Sequence, residues 1–209
     1  MKRLGRLLAI VLLVGCGPVA GGSDARLSQI GEMYQQGDYT TAVSQLTEYV
    51  QEHPDNAQAW TLLGESHAKL MQPEKAQAAY ESALQANPRY LFALTGLGNV
   101  YSQQGKLEEA MQTYEQAIEV DPNDAHTYTG MAVVALQMGD NEKALPLAIK
   151  GYELAPTEPV MAENLALAYH YNGDIPNRDK YAKIVAELDG VESEYLEAIF
   201  SGKLSLREN

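Results

Sequence analysis

AQAWTLLGESHAKLMQPEKAQAAYESALQANPRY, Ala57 to Tyr90, is the stretch that decides the fold. Its landmarks are Trp60, Leu63, Gly64, Ala76, Tyr80, Ala83 and Pro88. The next stretch, Leu91 to Asp124, carries Leu94, Leu97, Gly98, Tyr101, Ala110, Tyr114, Ala117 and Pro122 in the same register. Four prolines (Pro54, Pro88, Pro122 and Pro156) fall 34 residues apart. A fixed period of this length marks an array of supersecondary units, and it outranks local propensity as evidence.

The pattern continues outward with losses. Residues 125–158 keep Tyr128, Ala144 and Pro156, but have Ala132 where a glycine is typical and Pro146 inside the second helix. Residues 23–56 keep Ala42, Leu46 and Pro54 and lack the large-Leu-Gly face. Residues 159–190 keep Leu165, Ala166, Tyr169 and Ala182, with Arg178 where the pattern wants Ala. Spacing and residue types together resemble the tetratricopeptide repeat (TPR). That resemblance implies an all-α chain, a right-handed TPR superhelix of helix-turn-helix hairpins, with about five units over residues 25–190.

The residue types have physical reasons. One hairpin cannot bury its own apolar face, so it needs neighbours. Gly64, Gly98, Ala76 and Ala110 are small where two helices cross closely, while Trp60, Tyr80, Leu94 and Tyr114 fill the gap to the next unit. Gly37, Gly105, Gly139 and Gly173 recur at the turn inside each hairpin, as a left-handed helix end requires. In 57–90 this logic gives way to Pro73, whose fixed φ suits a helix start. The Asn-Pro and Asp-Pro pairs end units, because a residue before proline avoids the helical region. Pro146 should cost its helix a backbone bond, tolerably so near the helix start. His67 takes a core position usually held by Tyr and reads as a satisfied core histidine. After Gly190, the stripe Tyr195, Leu196, Ile199, Phe200 with Gly202 as a stop predicts a C-terminal capping helix within 191–209.

The N-terminus carries a different message. MKRLGR, residues 1–6, is basic, and LLAIVLLV, residues 7–14, is an apolar run of eight. That run is too short to span a hydrocarbon core about 30 Å thick, and it reads as an export signal over 1–15. Leu13-Val14-Gly15-Cys16 resembles the bacterial lipobox, with the only cysteine of the chain at its end. The resemblance implies lipidation of Cys16 and a flexible tether to residue 24. Gly17 in place of Asp favours the outer membrane, facing the periplasm, by resemblance to Gram-negative lipoproteins.

The formal net charge is −13, so phosphate backbones are repelled and nucleic-acid binding is not expected. Motifs for catalysis, cofactors, small-molecule substrates or metals are missing: no phosphate-cradling loop with Lys, no HExxH, no nucleophile elbow. His53, His67, His126 and His170 show no ligand spacing, and Asp121, Asn123 and Asp124 match an ordinary inter-repeat turn. The chain is therefore expected to bind a protein and not to be an enzyme.

By the TPR resemblance, a partner would lie in a concave groove lined by the first helix of each unit. The implied positions are Thr61, Glu65 and Lys69, then Phe92, Thr95, Asn99 and Gln103. His126, Thr129, Val133 and Gln137 follow, and then Glu163, Leu167, His170 and Tyr171. Chaperone-binding TPRs clamp a C-terminal carboxylate with Lys, Asn and Arg; only Asn99 fits here, which argues against that mode. A mixed polar and apolar groove suits a peptide segment of a protein partner. By architecture the chain resembles small TPR lipoproteins that assist pilus or secretion-channel assembly, such as pilotins and tight-adherence lipoproteins. An adaptor that recruits or regulates cell-wall enzymes is the alternative.

Overall fold

The computed structural model describes residues 24–190 and 193–206. They form eleven helices and no strand, so the all-α expectation holds for them. The chain divides at Val120 into two compact units.

The first unit holds three hairpins: α1 (Ala25–Gln35) with α2 (Tyr39–Glu52), α3 (Ala57–Lys69) with α4 (Pro73–Ala86), and α5 (Leu91–Gln103) with α6 (Leu107–Val120). The second holds α7 (Ala125–Met138) with α8 (Asn141–Leu154), α9 (Pro159–Tyr171) with α10 (Ile175–Asp189), and the short α11 (Glu194–Phe200). Second helices start at residues 39, 73, 107, 141 and 175, a spacing of 34 throughout. The period read from prolines is thus the period of the hairpins.

Every hairpin turn closes in one way. The residue at the left-handed position donates its N–H three residues back, and the following N–H reaches five back. At Gly105 these bonds run to Ser102 O (3.1 Å) and from Lys106 N to Tyr101 O (2.9 Å). Gly37, Gly105, Gly139 and Gly173 have φ of 83°, 73°, 82° and 76°. The second hairpin corrects the sequence expectation. Pro73 does open α4 at its first turn, but the left-handed residue remains, and it is Met71, with φ 57°. Met71 N bonds Ala68 O at 3.0 Å and Gln72 N bonds His67 O at 3.0 Å, as at the glycines. The turn geometry is imposed by the hairpin, and here a residue with a Cβ bears it.

Asp38, Asp140 and Asp174, one residue after the glycine, cap the second helices by accepting the N–H of Thr41, Lys143 and Asn177. α8 continues through Pro146, its sixth residue, at the loss of one backbone donor.

The core of the first unit is built on tyrosine against glycine. Tyr80 is 2 % exposed, and a Cβ on Gly64 or on Gly96 would meet its ring at 2.8 or 2.5 Å. Gly64 belongs to the same hairpin and Gly96 to the next, so one ring welds two hairpins. Tyr114 lies as closely against Gly98 of its own hairpin. Trp60 is half-buried, and its Nε1 donates to Pro54 O at 2.8 Å. In the second unit, Tyr128 does likewise, its hydroxyl donating to Pro122 O at 3.2 Å. The aromatic plug and the proline before it are one device. His67 is buried, with Nδ1 3.0 Å from Gln72 Oε1, as its core reading requires.

In the second unit the position of Tyr80 is taken by Ala148, and that of Gly96 by Asn164, both 1 % exposed. Volume has moved across the interface. Tyr152, Tyr169 and Tyr181 pack on this core, with Tyr169 and Tyr181 stacked at 5.5 Å. The predicted capping helix is α11, whose Leu196 and Ile199 are buried; Gly202 follows it with φ 71°.

Candidate functional site

The inner positions of the first helices lie four residues apart, on one face of each helix. In the first unit the stripe on α3 is Thr61, Glu65 and Lys69. Thr61 is buried and donates its hydroxyl to Ala57 O at 2.8 Å. Glu65 is 7 % exposed. The Tyr34 hydroxyl from α1 is hydrogen-bonded to its carboxyl, and Oε2 is buried with no hydrogen-bond partner. Burial pushes this carboxyl up to about 7, against the pull of Tyr34 and Lys69. Lys69 is half-buried, and burial lowers its ammonium.

On α5, Thr95 and Asn99 are each 2 % exposed. Asn99 Oδ1 accepts the Tyr114 hydroxyl at 2.5 Å, so the one residue that fits a carboxylate clamp is bonded inside its own hairpin. Phe92 and Gln103, at the two ends of α5, are half-buried. The Phe92 ring stands edge-to-face with Tyr90 at 5.9 Å.

In the second unit, Thr129 and Val133 on α7 are buried. The Thr129 hydroxyl donates to Met161 Sδ on α9 at 3.0 Å. A Cβ on Gly151 of α8 would stand 2.6 Å from the same oxygen. His126 and Gln137 are half-buried, and His126 Nε2 is 3.4 Å from Glu158 Oε2. On α9, Glu163 Oε1 accepts the Ser193 hydroxyl at 2.7 Å, Leu167 is buried, and the Tyr171 hydroxyl accepts Leu206 N–H at 3.1 Å. His170 faces Phe200 at 4.9 Å. The inner face of the last hairpin is therefore covered by α11 and the residues after it.

The sequence placed all these residues on one accessible lining, and the structure divides them. Thr61, Glu65, Thr95, Asn99, Thr129 and Val133 are buried, with Thr61, Asn99 and Thr129 hydrogen-bonded within their units. The Thr129–Met161 bond shows one reason: the next first helix packs on this face. Lys69, Phe92, Gln103, His126 and Gln137 keep the larger exposure.

A feature the sequence reading missed lies on the first unit. A depression of about 780 Å³ runs between the α2–α3 and α4–α5 loops, lined by Glu52, His53, Asp55, Asn56, Asn87 and Tyr90 among others. These are the residues of the repeating inter-hairpin turns, whose side chains carry no periodic signal of their own. Among the described residues no group of three His, Cys, Asp or Glu could hold a metal ion, and no helix is long and apolar enough to cross a membrane. Cys16 lies outside the described residues.

Known proteins place this geometry. Residues 98–139 match the family model for the TPR repeat, and residues 33–79 match one for the tetratricopeptide repeat. None of the curated proteins matches the chain in sequence. The structure of Pseudomonas aeruginosa PilF is similar, with TM-score 0.72 and 22% identity over 86% of this chain and 85% of that one. TTC0263, a thermophilic TPR protein of Thermus thermophilus, gives 0.71 and 20% over 85% and 96%. YrrB, described as a TPR protein with an unusual peptide-binding site, gives 0.62 and 15% over 88% and 93%.

Proposed function

We propose that this chain of tetratricopeptide hairpins is a membrane-anchored scaffold in a bacterial envelope, with no enzymatic activity, that holds a segment of a protein partner against the inner faces of its first helices. The observation that carries the reading is the pairing, within each unit taken by itself, of a packed interior with a few half-buried side chains: Lys69, Phe92 and Gln103 in the first unit, and His126 and Gln137 in the second. Groups on packed helices are presented without the ordering cost a loop would incur. An aromatic ring beside amides gives an extended or helical peptide both an apolar contact and hydrogen bonds.

Lipid on Cys16 supplies the anchor, and Gly17 directs the protein to the outer membrane on its periplasmic side. The process served is assembly of a pilus or secretion channel. The likeness to PilF supports that choice only through the shared fold.

Two experiments test this. Cys16→Ser should move the protein from the membrane to the soluble fraction; sedimentation with membranes after a salt wash would refute the anchor. Phe92→Ala with Gln103→Ala should lower partner capture from envelope extract at unchanged helicity. Undiminished capture would remove the rim from the binding surface.

A further inference from the structure

The Glu65 carboxyl has one oxygen, Oε2, that no hydrogen-bond donor reaches. Glu65 belongs to the inner stripe of α3, yet it is only 7 % exposed. Tyr34 from α1 is hydrogen-bonded to the carboxyl, while Oε2 is buried and takes none. The titratable groups that act on it are Tyr34 from α1, Lys69 one turn along α3, and Tyr80 from α4. A buried acceptor without a donor costs free energy, and a donor brought to it regains that cost. A donor that carries positive charge gains most, because it also lets the carboxyl ionise.

The unit around it has the matching sign. Between Asp24 and Val120 there are thirteen Asp and Glu against five Lys and Arg, so a basic segment is attracted and an acidic terminus repelled. Lys69 is the only cation on the stripe.

We propose that Glu65 is the receptor for one lysine or arginine side chain of the partner segment, on the inner face of the first unit. This rests on the groove reading above and names the chemistry it selects. Occupation is linked to a proton: below neutral pH the carboxyl holds one, the incoming cation replaces it, and the proton passes to solvent. Affinity for the cation therefore rises with pH up to about 7, where the empty carboxyl is already half ionised, and levels off above it.

The test reads the carboxyl itself. In full-length protein carrying carbon-13 at glutamate carboxyls, Glu65 is assigned by its loss in Glu65→Gln and titrated by NMR. The probe is N-acetyl-arginine amide, with the neutral N-acetyl-citrulline amide as control. The arginine probe should lower the Glu65 midpoint by about one unit or more. Citrulline should leave it in place, as should either probe at exposed Glu74. An unmoved Glu65 midpoint, or an equal shift at Glu74, overturns the proposal. If the midpoint is unmoved while the Phe92 and Gln103 variant still loses its partner, this receptor falls and the groove stands. If the midpoint shifts while that variant keeps full capture, the receptor stands and the rim reading falls.

Discussion

The same place in successive repeats is filled in opposite ways by the two units. In the first, Tyr80 pushes its ring against Gly64 and Gly96, and a methyl group on Gly96 would stand 2.5 Å from the ring. In the second, the tyrosine has become Ala148 and the facing glycine Asn164, and both are as buried as the pair they replace. The helices keep their spacing of 34 residues while volume passes from one side of the interface to the other. What a repeat keeps is the filled space, because interiors are close-packed and tolerate redistribution better than loss. The exchange has a side effect. Asn164 donates Nδ2 to Val160 O at 2.8 Å, but its Oδ1 is buried without a partner. The first unit has a buried ring packed against two glycines at this place, and the second has an amide that is only half satisfied.

That comparison can be broken by mutation. Tyr80→Ala should cost about 3–5 kcal/mol in urea unfolding, since a fully packed ring leaves a cavity between two hairpins. Asn164→Ala, at the partner position in the second unit, should stay within about 1 kcal/mol of wild type, because it also removes an orphaned acceptor. Equal losses at both sites would mean that the two interfaces are alike despite their residues.

The next largest effect lies at Glu65, whose equivalents are Asn99 in α5 and Val133 in α7. Its carboxyl titrates at about 7 in the folded protein against an ordinary 4.5, so the folded state binds the extra proton between those values. Stability from this group is therefore highest in acid, falls as pH rises through that window, and stays low above it. The shift corresponds to about 3 kcal/mol. Glu65→Gln, which keeps shape and removes the charge, should recover most of that above pH 7 and little near pH 4. Parallel pH profiles for variant and wild type would show that burial imposes no such cost.

The smallest effect concerns Met71. Four turns place glycine in the left-handed region and this one places a side chain there, 68 % exposed. Met71→Gly should raise stability by about 1 kcal/mol, which thermal unfolding can detect as a few degrees. A decrease would mean that the thioether chain contributes contacts worth more than the backbone strain.

Much of the architecture was legible in the chain. Pro54, Pro88, Pro122 and Pro156 recur because every hairpin must end, and Gly64 and Tyr80 recur at Gly98 and Tyr114 because the same close crossing is made again there. Asp38, Asp140 and Asp174 carry the same kind of signal, as caps one residue past a glycine. The candidate site was less legible. The TPR resemblance implied that Glu65, Asn99 and Thr129 line a groove, and the structure buries all three. The resemblance could not say that Tyr114 would reach across to Asn99, or that Met161 would cover Thr129, because those partners are 15 and 32 residues away. The turn at Met71 was misread for a related reason: proline announced a helix start, while the demand for positive φ came from the hairpin around it.

The sequence by itself determined the period, the alternation of helix and turn, and the acidic character. These are local patterns repeated at fixed spacing, and repetition makes them readable. Only the tertiary structure decided which inward residues are taken up in packing and which remain at the rim. It also decided that Ala148 and Asn164 exchange volume, and that the carboxyl of Glu65 is buried with an oxygen left over. Burial depends on what the neighbouring hairpin brings to each position, and no single helix carries that information.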